Sequence, residues 1–227
     1  MLNGCRKPVD MPMKLGPGEP AVGPWQPIST REFVHRLFGS DLRPHNRPWM
    51  VAIDGRSGSG KSTLANLLHQ VVPNSAVVHT DDVAWHHSFF DWDELMIAGI
   101  LKPLHAGNAV CYQPPGWRTK GRPGSIELEA GLDLVIVEGV GASRVELMPW
   151  IDRAVWVQSD LDEAERRGIA RDGADEAARN FWREWMTQEI VFLEQQRPWA
   201  GASLFVNGTP QQPHNPAGEV IVWRPIQ

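Results

Sequence analysis

A three-layer α/β fold with a mostly parallel central sheet is what the 227-residue sequence predicts, and three observations predict it. First, short apolar runs at Trp49–Ile53, Ser75–His79, Leu132–Val137, Ala154–Val157 and Ser203–Val206 alternate with helix-like segments. Strand, helix, strand in succession is the building unit of a parallel sheet. Second, Leu134-Val135-Ile136-Val137 is continuously apolar rather than alternating. Such a strand has both faces covered, as at the centre of a parallel sheet. Third, the run Met50–Asp54 empties into the glycine-rich turn Gly55-Arg56-Ser57-Gly58-Ser59-Gly60-Lys61-Ser62-Thr63, which opens directly into a helix-like pattern of Leu64, Leu67, Leu68 and Val71.

Taken in order, residues 1–27 are rich in Pro and Gly and lack periodicity. That composition buries too little apolar surface to offset its ordering entropy, so a flexible tail is expected, draped over the domain by Trp25 if at all. The rest, 28–227, reads as one domain. Ser29 or Thr30 caps a short helix with Phe33, Val34, Leu37 and Phe38 on one face, and Pro44 to Pro48 form a loop into the first core strand. After the glycine-rich turn and its helix, the strand Ser75–His79 runs into Thr80-Asp81-Asp82. A helix is expected over 91–105, stopped by Gly107, then a brief extended piece at 109–113. Pro114 to Gly124 reads as a basic, aromatic loop carrying Trp117, Arg118, Lys120 and Arg122. Arg144–Trp150 suggests a short helix. Asp160–Asp172 is a helix with acids at its start and arginines at its end, which suits the dipole, and Ala177–Gln196 is a long amphipathic helix. Glu219–Trp223 is expected as a terminal edge strand.

Gly55 through Ser62 fits G-x-x-x-x-G-K-[ST]. Glycines there let successive backbone N–H groups of Arg56 to Ser62, and on to Thr63, converge on a polyphosphate, helped by the positive end of the following helix. Lys61 would then bridge the outer phosphates, and the Ser62 hydroxyl would ligate Mg²⁺. Ligands in parallel sheets collect at the carboxyl ends of the strands. Asp81 and Asp82 stand at such an end, where one suits a general base; capping the next turn is the alternative. Glu138 ends the central strand and suits a magnesium-side carboxylate, or merely terminates it. Arg166, Arg167 and Arg171 bring three guanidiniums into little more than one turn, either as a charged surface or as stabilisers of a phosphoryl group in transit. The loop around Trp117 could hold an anionic or planar substrate, or simply be solvated.

The net charge of −5 argues against a general nucleic-acid binder. Two cysteines, Cys5 and Cys111, make no disulfide framework, and a reduced, cytoplasmic setting is expected. No apolar run reaches the length of a membrane span, and no secretory leader is expected at the N-terminus. Eleven tryptophans against one tyrosine have no explanation in the sequence beyond core packing or a ligand pocket.

With these pieces in place the chain resembles the uridine kinase-like branch of P-loop small-molecule kinases over roughly Trp49 to Thr209. The motifs that carry the likeness are GRSGSGKST at 55–63, HTDDVAW at 79–85, FFDWDEL at 89–95, VIVEGV at 135–140 and ERRGIARD at 165–172. The resemblance implies a three-layer P-loop NTPase fold with a short helical lid at about 160–180, and ATP with Mg²⁺ as cofactors. Asp81 matches the catalytic carboxylate and Glu138 the magnesium-side acid. Asp91 falls where the family binds a sugar hydroxyl, and Tyr112 near its base-stacking aromatic. Arg166, Arg167 and Arg171 match the lid, and Asn207 to Thr209 lie near the adenine-contacting loop. The stretch 112–122 carries no match for the family's pyrimidine-binding histidine, and no arginine-rich continuation follows Asp172. The implied activity moves the γ-phosphate of ATP to a hydroxyl of a small molecule, a nucleoside first, a non-nucleoside alcohol or a regulatory NTPase as alternatives. No nucleic-acid or membrane partner is expected, and a homo-oligomer is left open.

Overall fold

The computed structural model describes residues 12–39, 41, 44–173 and 175–223. Strand β1 (Gln26–Ser29) leads into helix α1 (Thr30–Phe38), whose first turn is closed by the Ser29 hydroxyl accepting from the Glu32 N–H at 3.1 Å. The core units follow: β2 (Trp49–Asp54), α2 (Lys61–Val71), β3 (Ser75–His79) and a single turn α3 (Thr80–Ala84). The helix expected over 91–105 begins at Asp93 as α4 (Asp93–Met96), widens into a π-turn (Ile97–Leu101) and resumes as α5 (Lys102–His105). Pro103 has no N–H to offer the Gly99 carbonyl, and the Lys102 N–H reaches back to Ile97 instead.

The expected loop 114–124 is partly helical. Strand β4 (Val110–Tyr112) precedes α6 (Pro115–Lys120), which Pro115 opens and Gly121 closes in a left-handed conformation, and β5 (Ile126–Leu128) pairs back on β4. Strand β6 (Leu134–Glu138) is buried at every residue, as its unbroken apolar run predicts. The helix expected near 144–150 is a short 3-10 turn at Met148–Trp150. Then come β7 (Arg153–Gln158), α7 (Leu161–Arg171), α8 (Glu176–Gln196), β8 (Leu204–Asn207) and β9 (Glu219–Trp223).

The seven strands of the main sheet lie in the order β1-β9-β8-β7-β2-β6-β3. From β3 to β8 they are parallel, and β9 and β1 add antiparallel. Strand β9 is therefore internal and β1 takes the edge that β9 was expected to hold; Pro27, which lacks an N–H, sits on that outer strand. Alternate residues of the parallel strands feed two cores. Met50, Ala52, Val135 and Val137 pack with the α4–α5 helix on one face. Val51, Ile53, Leu134 and Ile136 pack with α1 and α2 on the other. These are the three layers. Register brings Asp54, His79, Glu138, Gln158 and Asn207 to one edge of the sheet, the edge where the glycine-rich turn leaves β2. Strand β2 lies between β6 and β7, so this edge is where the chain's direction of winding reverses, the usual place for a ligand in such sheets.

The Pro/Gly-rich stretch expected as a flexible tail is packed against the domain from Pro12 to Trp25. Lys14 accepts from the Leu161 N–H at 2.9 Å, Pro20 accepts from Gln158 Nε2 at 2.9 Å, and Glu19 is buried. One buried ion pair, between Glu19 and Arg56, holds what composition alone would leave loose. The remainder of the expected tail, 1–11 with Cys5, lies outside the described residues, while Cys111 is an exposed free thiol. No helix among the described residues is long and apolar enough to cross a membrane.

Candidate active site

The loop after β2 is shaped by what side chains it omits. Gly58 has φ +76° and a Cβ there would come within 2.0 Å of the Ala164 carbonyl oxygen; Gly60 has φ +102°. Both positions need glycine, and both leave the inner side of the loop lined with main chain. The wholly buried carboxylate of Asp54 ties this loop to the one after β6. It accepts from the N–H of Gly55 (2.7 Å), Gly141 (3.0 Å) and Ser143 (2.8 Å) and from the Ser143 hydroxyl (2.9 Å). Burial pushes the Asp54 carboxyl up, opposed by the Ser143 and Gly55 hydrogen bonds and by the Lys61 charge.

Lys61 is buried, with Nζ 3.0 Å from the Arg56 carbonyl. Ser62 Oγ donates to Glu138 Oε1 at 3.2 Å, and His79 Nδ1 meets Glu138 Oε2 at 2.6 Å. Burial would raise Glu138, but the His79 hydrogen bond, the charges of Lys61 and His79 and the Ser62 contact outweigh it and hold its carboxyl below the ordinary range. The same hydrogen bond to Glu138 raises His79 against its own burial. Ser62 and Glu138 offer hard oxygen donors side by side, which fits Mg²⁺, a cation that usually keeps waters and phosphate oxygens in most of its positions. The open, main-chain-lined loop likewise fits a triphosphate.

Asp81 lies across from these groups. Lys61, Ser62, Asp81 and Glu138 line one cavity of about 650 Å³, together with Arg171. Asp81 is exposed to that cavity. Burial raises its carboxyl; Lys61 opposes, Glu138 reinforces and Arg171 opposes. A carboxyl raised above its ordinary range and facing the space before the glycine-rich loop is chemically suited to proton abstraction. Neighbouring Asp82 instead pairs with Arg122 at 2.8 Å.

The lid arginines do not converge. Arg167 and Arg171 share a helix face as their spacing predicts, but about 6 Å of rise separates them. Arg171 reaches the large cavity; Arg167 donates to the Gly208 carbonyl at 2.8 Å and lines a second cavity of about 520 Å³ with Gly60, Thr63 and Asn207. Arg166 is turned toward Glu163 at 2.7 Å on the exposed side. Arg56 contributes only main chain to the loop, because its guanidinium is buried against Glu19. The Ser57 N–H is already taken by both oxygens of the fully buried Glu189, at 3.1 and 3.2 Å.

The three expected acceptor contacts lie outside the large cavity. Asp91 is exposed and interacts with Ser88. Tyr112 packs into the core beside Gly99, where a Cβ would come within 2.6 Å of its ring. Trp117 is buried under Arg122, with Nε1 donating to the Asp82 carbonyl at 2.8 Å. In their place the cavity is walled by Trp85, Phe89, Phe181, Trp182 and Trp185. Sequence reasoning missed all five of these rings, and His79 and Glu189, as site residues. The surplus of tryptophan was the one signal that pointed to the aromatic wall, and it carried no positions.

No family model matches the chain. The chain is 27% identical over 143 residues to a uridine kinase of Clostridium novyi (strain NT), covering 56% of this chain and 69% of that protein. The motif-based resemblance to uridine kinases stands. Over 89 residues the chain is 30% identical to NACHT, LRR and PYD domains-containing protein 1a of Mus musculus, a match that spans 34% of this chain and 7% of that protein. Among solved structures, a possible uridine kinase from Bacillus stearothermophilus superposes with TM-score 0.49 at 20% identity, covering 73% of this chain and 91% of that one. The uridine kinase of Clostridium novyi is a kinase relative at low identity.

Proposed function

We propose that this protein is an ATP-dependent phosphotransferase that moves the γ-phosphate of ATP to a hydroxyl of a small molecule. The observation that carries the reading is the shared cavity of Lys61, Ser62, Asp81 and Glu138 at the strand tips. The loop Gly55–Thr63 holds the phosphates through its main chain, and Arg167 with Asn207 flanks the nucleotide base. Glu138 and Ser62 hold Mg²⁺, which supplies charge neutralisation at the phosphates. The acceptor hydroxyl oxygen forms its bond to the γ-phosphorus as the bond from that phosphorus to the bridging oxygen breaks, and ADP leaves. Asp81 takes the hydroxyl proton. Lys61 and Arg171 offset the charge that spreads over the transferring group.

Positioned proton transfer contributes about 10²–10⁴ in rate. Asp81→Asn is therefore expected to lower acceptor-dependent turnover by about that range while equilibrium ATP binding is retained. Unchanged turnover in this variant removes Asp81 from the role. ATP loss that is equally fast with and without any acceptor would replace the phosphotransferase by a hydrolase.

A further inference from the structure

One side of the large cavity is built from rings, and it reaches the phosphate loop through Glu189, which accepts from both the Trp185 indole N–H and the Ser57 N–H. Helix α8 supplies Phe181, Trp182 and Trp185 from one face, and the loop after α3 supplies Trp85 and Phe89. Phe89 meets Trp185 edge-on at 4.9 Å and Phe181 at 6.1 Å. Phe181 is 48% exposed, a large apolar ring left in water at the cavity wall. Exposed aromatic surface lining a concavity is more often a binding surface than a packing remnant.

The opposite edge is buttressed. A Cβ on Gly116 would come within 1.9 Å of the Trp85 carbonyl oxygen, so α6 presses directly on that loop. Arg122 stacks on Trp117 at 3.5 Å, lies over Trp85 at 5.3 Å and pairs with Asp82 at 2.8 Å. His86, next to Trp85, has φ +52°, a left-handed conformation that a non-glycine residue adopts only when its surroundings enforce it. The segment expected to touch substrate through Trp117 thus supports the residues that line the cavity.

Polar groups are concentrated at the phosphate end, in Lys61, Ser62, Asp81, Glu138 and Arg171. At the aromatic end His87 Nε2 is committed to the Asp91 carbonyl at 2.9 Å, and Ser88 to Asp91. His86, Lys120 and Asp172 also line the cavity, Asp172 paired with Arg171. A ribonucleoside carries several sugar hydroxyls and a hydrogen-bonding base edge. Seated against the rings, those groups find no hydrogen-bond partner in the ring faces.

We propose that the acceptor is a compound with a flat, largely apolar aromatic body and a hydroxyl that reaches Asp81, rather than a ribonucleoside. The inference rests on the phosphotransferase reading for its hydroxyl, and on the aromatic wall for its body. Rings stack on or edge against such a body without needing directional hydrogen bonds.

The test uses the full chain with Mg²⁺ and ATP. ADP formation is measured with benzyl alcohol, phenylethanol and hydroxymethylpyridine, and with uridine and cytidine. Quenching of tryptophan fluorescence is titrated in parallel with the same compounds, since Trp85, Trp182 and Trp185 line the site. Phosphorylation of an aryl alcohol at a kcat/KM at least about tenfold above uridine is expected, because unpaired polar groups in an aromatic site exact at least that discrimination. Phe181→Ala is expected to raise the aryl alcohol KM roughly tenfold with the ATP KM unchanged. Turnover of uridine or cytidine at or above the aryl alcohols overturns the acceptor class and leaves the phosphotransferase reading intact. Quenching by aryl alcohols without phosphate transfer keeps the aromatic site and overturns phosphotransfer. Neither quenching nor transfer overturns the proposal.

Discussion

The two ends of the large cavity are built on opposite principles. At the phosphate end a frame of polar groups is committed: Asp54 accepts four hydrogen bonds, Glu19 holds Arg56, Glu189 holds Ser57, and His79 holds Glu138. Ser62, Asp81 and Arg171 stay exposed to the cavity. At the aromatic end edge-to-face rings make the wall, and one of them stands half in solvent. A phosphate is the same in every nucleotide, so a rigid frame behind a few open donors would serve it. On the proposed reading an acceptor would be recognised by shape and apolar surface, which leaves that wall free to vary in its side chains.

The contrast is sharpest in stability. Glu19→Ala leaves Arg56 buried without its counter-charge and is expected to cost about 3–5 kcal/mol, read as a lower denaturant midpoint at unchanged m-value. Phe181→Ala, exposed, is expected to stay within about 0.5 kcal/mol. Equal losses from the two would erase the distinction between the ends.

A smaller effect probes where the ends meet. Arg171 opposes the upward push that burial and Glu138 exert on Asp81. A base works deprotonated, so rate is lost as pH falls through its pKa, and a higher pKa brings that loss on earlier. Arg171→Gln is expected to move the acid limb of kcat to higher pH. It should lower the plateau about ten- to a hundredfold, less than the loss for a buried donor because the guanidinium is exposed. A kcat–pH profile with an unmoved acid limb would separate Arg171 from Asp81. The smallest effect is expected at the residues outside the cavity: Asp91→Asn should change the acceptor KM by less than about twofold, as a surface substitution away from the site. A large rise in KM would bring Asp91 back to the acceptor.

The phosphate end was legible because its chemistry is local. Consecutive main-chain amides line the loop, so glycines at fixed offsets followed by Lys61 and Ser62 announce it, and strand tips announce Asp81 and Glu138. The parallel sheet was legible from apolar runs for the same reason. Helix α6 was missed although Pro115 at its first turn and Gly121 at its end are start and stop signals; the other Pro and Gly around them read as loop. The edge strand β1 was missed because four residues containing Pro27 carry no alternation strong enough to notice.

By itself, then, the order of residues determined the strand–loop–helix unit, the continuous apolar core of β6 and the pair of carboxylates at the strand tips. Tertiary structure alone decided that Glu19 is drawn in to Arg56, that Arg167 and Arg171 serve different cavities, and that Trp85 and Phe89 face Phe181 and Trp185. Backbone torsions and burial periodicity are written over a few neighbouring residues. Contacts between segments some ninety positions apart depend on how helices settle on a sheet, and no short pattern in the chain encodes that.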